Sequence, residues 1–154
     1  MDKRTKDTLI SMGQQEKQFD GLYRAVASAF GFPDCSMWIL YDLFMEDAPL
    51  TQHDLIDRMV YSKQTIHSAV SWLAKKEWVR LETNPASRSS KFIHLTGEGK
   101  RIAEESVGLL LSAEEEAVEA MGAEKMRQYI ALHQELICHL LQALRSRDLL
   151  QEKP

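Results

Sequence analysis

Two cysteines in 154 residues, Cys35 and Cys138, stand far apart and form no C-x-x-C pair, which leaves neither a disulfide framework nor a zinc knuckle. His133, Cys138 and His139 lack the i, i+4 ligand spacing, and no carboxylate or histidine cluster completes a four-ligand set, so no metal is expected. No segment approaches the roughly 18 to 20 uninterrupted apolar residues of a membrane span. The start, Met1 to Asp7, is charged with no apolar stretch behind it. A cytoplasmic protein without a membrane partner is therefore expected. There is no P-loop, no glycine-rich dinucleotide fingerprint and no nucleophile elbow, so nothing points to an enzyme or to a cofactor. Internal repeats and low-complexity tracts are also missing. At this length, with 44% hydrophobic residues, the chain reads as one globular domain.

Positive charge is scarce overall, with a net charge of −4, but it is unevenly placed. Between Thr51 and Arg101 nine basic residues face five acidic ones, whereas the rest of the chain holds 10 basic and 18 acidic residues. A basic centre between acidic ends suits a chain whose middle meets phosphate, although solvated surface charge produces the same pattern in many proteins.

Phe19, Leu22, Tyr23, Val26 and Phe30 recur at spacings of three and four, predicting a helix from about Gln14 to Phe30, loosened at Gly13 and ended by Gly31 and Pro33. Asp34 is expected to cap a second helix, whose residues Met37, Trp38, Leu40, Tyr41, Leu43 and Phe44 cover more than one face and mark it as buried. After a turn at Asp47 to Pro49, two helix starts follow closely. Thr51 and Asp54 open Gln52 to Val60, and Ser62 opens Lys63 to Lys76, with hydrophobic staples pairing Leu50 with Leu55 and Tyr61 with Ile66. Two short helices across so tight a turn are a helix-turn-helix pattern.

Beyond Trp78 the period becomes alternating. Val79, Leu81 and Thr83 predict one strand, and Phe92, His94 and Thr96 against Ile93 and Leu95 predict another. Asn84 to Ser90, with Pro85, three serines and Arg88, reads as a turn with a positive tip, in other words a wing. The rest is helical, with breaks expected at a Ser112/Glu115 capping box and at Gly122, giving pieces near Glu98 to Leu111, Ala113 to Met121 and Glu124 to Leu150. Met126, Tyr129, Ile130, His133, Ile137, Leu140, Leu141 and Leu144 form a long apolar stripe on the last piece.

On a helical wheel Ile66, Ala69, Val70 and Leu73 share one face of the second short helix, while Gln64, His67, Ser68, Ser71 and Lys75 gather on the other. Small polar side chains suit a helix lowered into the major groove of double-stranded DNA, since they allow close approach and offer donors and acceptors to base edges. Gln64, His67, Ser68 and Ser71 are the candidate base readers. Ser62, Lys63, Lys75, Lys76, Arg80 and Lys91 are candidate phosphate contacts, and Arg88 is placed to enter the minor groove, where negative potential favours a guanidinium.

The runs "MWILYDLF", "LTQHDLIDRM", "SKQTIHSAVSWLAKKEW" and "RSSKFIHLTGEGK", the last with its "LT-x-x-G" ending, resemble the multiple-antibiotic-resistance-regulator (MarR) family of transcription factors over most of the chain. The resemblance implies a mainly α fold with a small antiparallel β wing. A winged helix-turn-helix lobe would occupy 34–101, and long N- and C-terminal helices at 8–33 and 102–150 would form a dimerisation region within one compact chain. It implies a homodimer joined through the first and last helices, acting as a repressor, or less often an activator, on pseudo-palindromic operators. The unspent apolar stripe of the last helix supports the dimer on physical grounds, since it exceeds what a winged-helix core covers. The resemblance also implies a pocket for a small aromatic or phenolic effector, which here would gather Phe19, Tyr23, Phe30, Trp38 and Tyr41; plain core packing explains the same residues.

Two departures from the family pattern stand out. Ser87, Arg88 and Ser89 align with a triplet that is often Asp-Arg-Arg, so the carboxylate that would brace the wing is missing. Glu77 stands where the family usually has a glycine ending the recognition helix, and a left-handed backbone there would cost Glu roughly 1 kcal/mol. Two other readings stay open: a winged-helix module that binds a protein and no DNA, and a redox-sensing regulator in which the helix dipole near Cys35 lowers its thiol pKa.

Overall fold

The computed structural model describes residues 1–85 and 87–150, with the backbone alone at 87–89. Two compact units divide the chain, Met1–Leu110 and Leu111–Pro154.

The first unit begins with α1, Lys3–Ala29, whose N-cap Asp2 accepts from the Thr5 backbone N–H at 3.0 Å. This helix starts well before Gln14 and runs through Gly13 without a break. Its first turns are polar and exposed, so no apolar period announces them. Of the predicted stripe, Tyr23 and Val26 pack on the core around Ala27, Met37 and Leu110, whereas Phe19 and Leu22 stay exposed. The second helix, α2 (Asp34–Glu46), buries Cys35, Ser36, Met37, Ile39, Leu40 and Leu43, which makes it the central element its composition predicts. Its N-cap is Pro33, without a side-chain hydrogen bond. Asp34 is thus not the cap expected of it, because its carboxylate is engaged by the Tyr61 hydroxyl instead.

Thr51 caps α3 (Gln52–Arg58) in a complete capping box with Asp54. The Thr51 backbone N–H donates to Asp54 at 2.7 Å, and that bond holds the Asp54 carboxyl below the usual carboxylate range. Leu50–Thr51 also form a short strand, β1, that two-residue periodicity could not reveal. It pairs antiparallel with β3 (Ser87–Leu95), which pairs with β2 (Val79–Asn84) in the order β1-β3-β2. The register sets Val79 opposite Leu95, Leu81 opposite Ile93 and Leu50 opposite Ile93. Ile93 is fully buried at the middle of this sheet, and Leu40, Leu55, Ile66 and Leu73 of the helices are fully buried as well. Each such side chain contributes roughly 1.5–3 kcal/mol by leaving water.

The strands reach farther than expected. The hairpin connection is only Pro85 and Ala86, the latter outside the described residues, and Arg88 lies on β3 rather than at a loop tip. Together the elements form a winged helix-turn-helix, mainly α with a small antiparallel sheet.

Helix α5 (Gly97–Met121) passes from the first unit into the second without interruption, so the break expected at Ser112 does not occur. A cap needs extended backbone at the capping residue, and neither glycine nor proline at 111–115 enforces it. Gly122, at φ 81°, does end α5. It leads into α6 (Ala123–Arg145), which buries no residue: Tyr129, Ile130, Leu132, Ile137 and Leu140 are all exposed. Among the described residues no helix is long and apolar enough to cross a membrane.

Candidate nucleic-acid interface

Thirteen residues make α4, Lys63–Lys75, entered through Ser62, whose hydroxyl accepts from the Thr65 backbone N–H at 3.1 Å. Ile66, Ala69, Val70 and Leu73 are buried, which leaves Gln64, Thr65, His67, Ser68, Ser71 and Lys75 exposed on the opposite side. No acidic residue occurs anywhere in this helix. The face therefore offers hydrogen-bonding groups and positive charge to a polyanion without a repelling carboxylate.

All four candidate readers lie on that face, but they are not equivalent. The Ser71 hydroxyl donates to the His67 carbonyl at 2.8 Å, one turn back, so its proton is engaged and it has only lone pairs to offer. Ser62 is likewise engaged by its cap and sits 2.8 Å from the Thr65 hydroxyl. Thr65, which was not among the expected readers, is exposed in the first turn beside Gln64. Its position one residue along the same polar turn was the signal that could have found it.

The basic groups surround this face. Lys63 and Lys75 stand exposed at its two ends. Lys76 lies 5.5 Å above the Trp72 ring, which in turn meets Trp78 edge-on at 5.4 Å, so a cation–π contact holds its stem near the helix end. On β2, Arg80 binds Glu82 at 2.7 Å, and the hydrogen bond keeps the Glu82 carboxyl low. That pair is exposed and screened by water, so Arg80 can exchange Glu82 for a phosphate. Lys91 is exposed on β3 opposite Thr83. The Arg88 side chain lies outside the described residues.

The exit of α4 explains two features of the sequence. Trp78 N–H donates to Leu73 O and Glu77 N–H to Ala74 O, a Schellman arrangement, with Glu77 at φ 60°. Glu77 therefore takes the left-handed backbone usual for glycine at this position. The Thr96 hydroxyl then donates to the Glu77 carbonyl at 2.7 Å and accepts from Gly99 N–H at 2.9 Å. A Cβ on Gly99 would sit 1.8 Å from the Trp78 carbonyl oxygen. The "LT-x-x-G" run is thus a clasp that fixes the end of α4 against the start of α5, and only glycine fits its last position.

Of the five aromatic residues assigned to a pocket, Phe19, Tyr23, Trp38 and Tyr41 form a chain of rings with centroids 5.2, 4.9 and 5.3 Å apart. Tyr23 and Trp38 line a cavity of about 610 Å³ together with Asp20, Arg24, Asp34, Asp42, Arg58 and the turn Met59 to Tyr61. Phe30 does not join them; it packs on Phe32, 5.7 Å away. Cys35 departs from the redox expectation. Burial, reinforced by the neighbouring Asp34 carboxylate, pushes its thiol up to about 11, against the lowering a helix start would give. Cys138 is exposed.

Comparison with known proteins places this geometry. Residues 43–88 match the MarR family. That match takes in less than half of the chain. It covers the end of α2, the whole helix-turn-helix and the start of the wing. No curated protein matches the chain. Among solved structures, Sco3205, a MarR family transcriptional regulator from Streptomyces coelicolor in complex with DNA, is 19% identical, with a TM-score of 0.71 over 90% of this chain and 88% of that one. NMB1585, a MarR family regulator from Neisseria meningitidis, is 17% identical, with a TM-score of 0.71 over 92% and 98%. NadR in complex with 4-hydroxyphenylacetate is 22% identical, with a TM-score of 0.66 over 82% and 89%. At these identities the MarR-type fold is what the chain shares with them.

Proposed function

We propose that the chain is a sequence-specific regulator of transcription that binds double-stranded DNA through α4. The acid-free, exposed polar face of α4, backed by a buried apolar face and ringed by lysines, carries this reading. Gln64, Thr65, His67 and Ser68 read base edges, Ser71 contributes as an acceptor, and Lys63, Lys75, Lys76, Arg80 and Lys91 hold phosphates. Ser62 orients the helix start, where the backbone dipole also favours a phosphate. Arg88 contacts the minor groove from β3.

The protein acts as a homodimer. The exposed apolar residues of α6, and separately Leu9, Ile10, Phe19 and Leu22 of α1, are the surfaces a second copy covers. Two-fold symmetry then presents two α4 helices to successive major grooves, about 34–36 Å apart. The cavity beneath the helix-turn-helix supports a repressor whose operator occupancy is shifted by a small aromatic molecule. Support by analogy comes from Sco3205, solved on DNA, and NadR, solved with 4-hydroxyphenylacetate.

A gel-shift experiment on the DNA upstream of the chain's own gene, at 50 and 200 mM salt, tests the reading. Specific binding that weakens by roughly a thousandfold or more across that range is expected for six or more phosphate contacts. No shift at low salt would leave the winged helix as a protein-binding module.

A further inference from the structure

The far end of α4 is clasped by Thr96, but its beginning is held by no packing of its own. Between Leu55 on α3 and Ile66 on α4, both fully buried, no residue is buried. Val60 in the turn is fully exposed, and Ser62, Lys63, Gln64 and Thr65 are exposed in succession. Main-chain bonds stop on either side. Met59 N–H donates to Leu55 O at 2.9 Å and Ile66 N–H to Ser62 O at 3.0 Å, whereas, among the described residues, the backbone of Val60 and Tyr61 bonds to no other backbone group. Side chains reaching opposite ends of α2 link this stretch to the core instead. Arg58 binds Glu46, the last residue of that helix, at 2.7 Å in an exposed pair. Tyr61 donates its hydroxyl to Oδ2 of Asp34, the first residue, in a part-buried bond.

We propose that the Tyr61–Asp34 bond is a tether that sets where α4 begins, which makes both side chains positioning residues for DNA recognition. This role rests on the DNA-binding reading above and adds to it the residues that aim the helix. The anchor is firm, because Met37, Ile39 and Leu40 of α2 are fully buried. Asp34 in turn depends on the bond. Its Oδ1 is shielded from solvent without a partner, so losing the Tyr61 hydroxyl leaves a half-buried carboxylate with no donor. Burial, and then the bond itself, push the Tyr61 phenol above its ordinary range, so it remains a donor at neutral pH. Tyr61 immediately precedes Ser62, the cap of α4. Hydrogen bonds tolerate only about 0.5 Å in length, so a first turn that swings by about 1 Å loses those that Lys63, Gln64 and Thr65 would make to DNA. Ser68 and Ser71, flanked by buried Ile66, Ala69, Val70 and Leu73, stay in place.

Two measurements on the full chain test this: amide hydrogen exchange without DNA, and affinity for the duplex upstream of the chain's own gene. In Tyr61→Phe the amides of Thr65 and Ile66 are expected to exchange at least fivefold faster than in the wild type, with those of Val70 to Leu73 within twofold. The duplex should bind at least fivefold more weakly. Asp34→Ala should reproduce both changes, and the double variant should be no weaker than either single one. Asp34→Asn, which keeps an acceptor for Tyr61, should stay within twofold of the wild type. Thermal melts establish that each variant is folded, and Asp34→Ala breaks the bond from the other side should Tyr61→Phe fail to fold. Exchange that is unchanged at Thr65 and Ile66 or quickened evenly along α4, an affinity that neither break alters, or a loss in Asp34→Asn as large as in Asp34→Ala overturns the proposal. The two readings fail separately. Local exchange changes in a chain that shifts no DNA overturn the regulator and leave the tether standing, and DNA binding that Tyr61→Phe leaves intact does the reverse.

Discussion

Helices α4 and α6 are both amphipathic, yet they end in opposite states. On α4, Ile66, Ala69, Val70 and Leu73 are buried within the first unit and the polar face is left free. On α6 nothing is buried, and Ile130 and Leu132 are 60% and 66% exposed. The difference teaches where each helix spends its apolar face. A helix whose apolar side is satisfied by its own fold has its polar side available for recognition. A helix whose apolar side is unsatisfied is a candidate surface for the proposed second copy, because so long an exposed stripe is seldom tolerated in water.

Breaking the α6 side should have the largest effect. Under the proposed homodimer, Ile137→Glu with Leu140→Glu removes two apolar contacts from each copy, at about 1.5–3 kcal/mol per side chain, and places charge in the proposed interface. Sedimentation should show dimer dissociation raised more than about a thousandfold, with circular dichroism of the first unit's helices retained. A variant that remains dimeric at micromolar concentration would move the interface elsewhere.

The α4 side depends on its clasp. Gly99→Ala forces a Cβ to within 1.8 Å of the Trp78 carbonyl oxygen and should cost about 3 kcal/mol in urea unfolding. Gly97→Ala is the control, since nothing lies within 4 Å of a Cβ there. Next comes the division of labour on the polar face. Gln64→Ala should lose about 1–3 kcal/mol at one base position per half-site, whereas Lys63→Ala should weaken all sequences alike and lower the salt slope by about one. Equal loss on every sequence after Gln64→Ala would make Gln64 a positioning residue.

The smallest effect is expected at Glu77. Relief of its positive φ by Glu77→Gly is worth about 1 kcal/mol, but glycine adds freedom to the unfolded chain, so a net gain near 0.5 kcal/mol should appear in the melting temperature. Cys35 offers a qualitative check in a Cys138→Ser background. With its thiol pushed up to about 11, Cys35 is protonated at neutral pH and should alkylate only on unfolding or as the pH approaches that value. Rapid alkylation of the folded chain at pH 7 would restore the redox reading.

Much of this was legible because it is periodic or capped. The two faces of α4, the Thr51–Asp54 box and the buried character of α2 all follow from spacing. What escaped had no period of its own. The polar start of α1 lacks an apolar stripe, β1 is two residues long, and Ser112 carries a capping signature that an already propagating helix overrides. The candidate site was legible as a set of side chains, but not in their engagements. That Ser71 returns its proton to His67, that Arg80 rests on Glu82, and that Asp34 binds Tyr61 rather than capping α2 are contacts that only folding creates. The family resemblance groups Phe30 with the pocket rings, but packing decides which neighbour a ring meets, and Phe30 lies against Phe32.

The central claim, that the polar face of α4 reads DNA in a two-fold pair, is tested most directly by selecting binding sites for the full chain from a random pool of duplexes. The account predicts enrichment of a pseudo-palindrome whose half-sites are centred about 10 base pairs apart, with the preferred base at one position per half-site lost in Gln64→Ala. Enrichment of a single unrepeated motif, or of none, would contradict it.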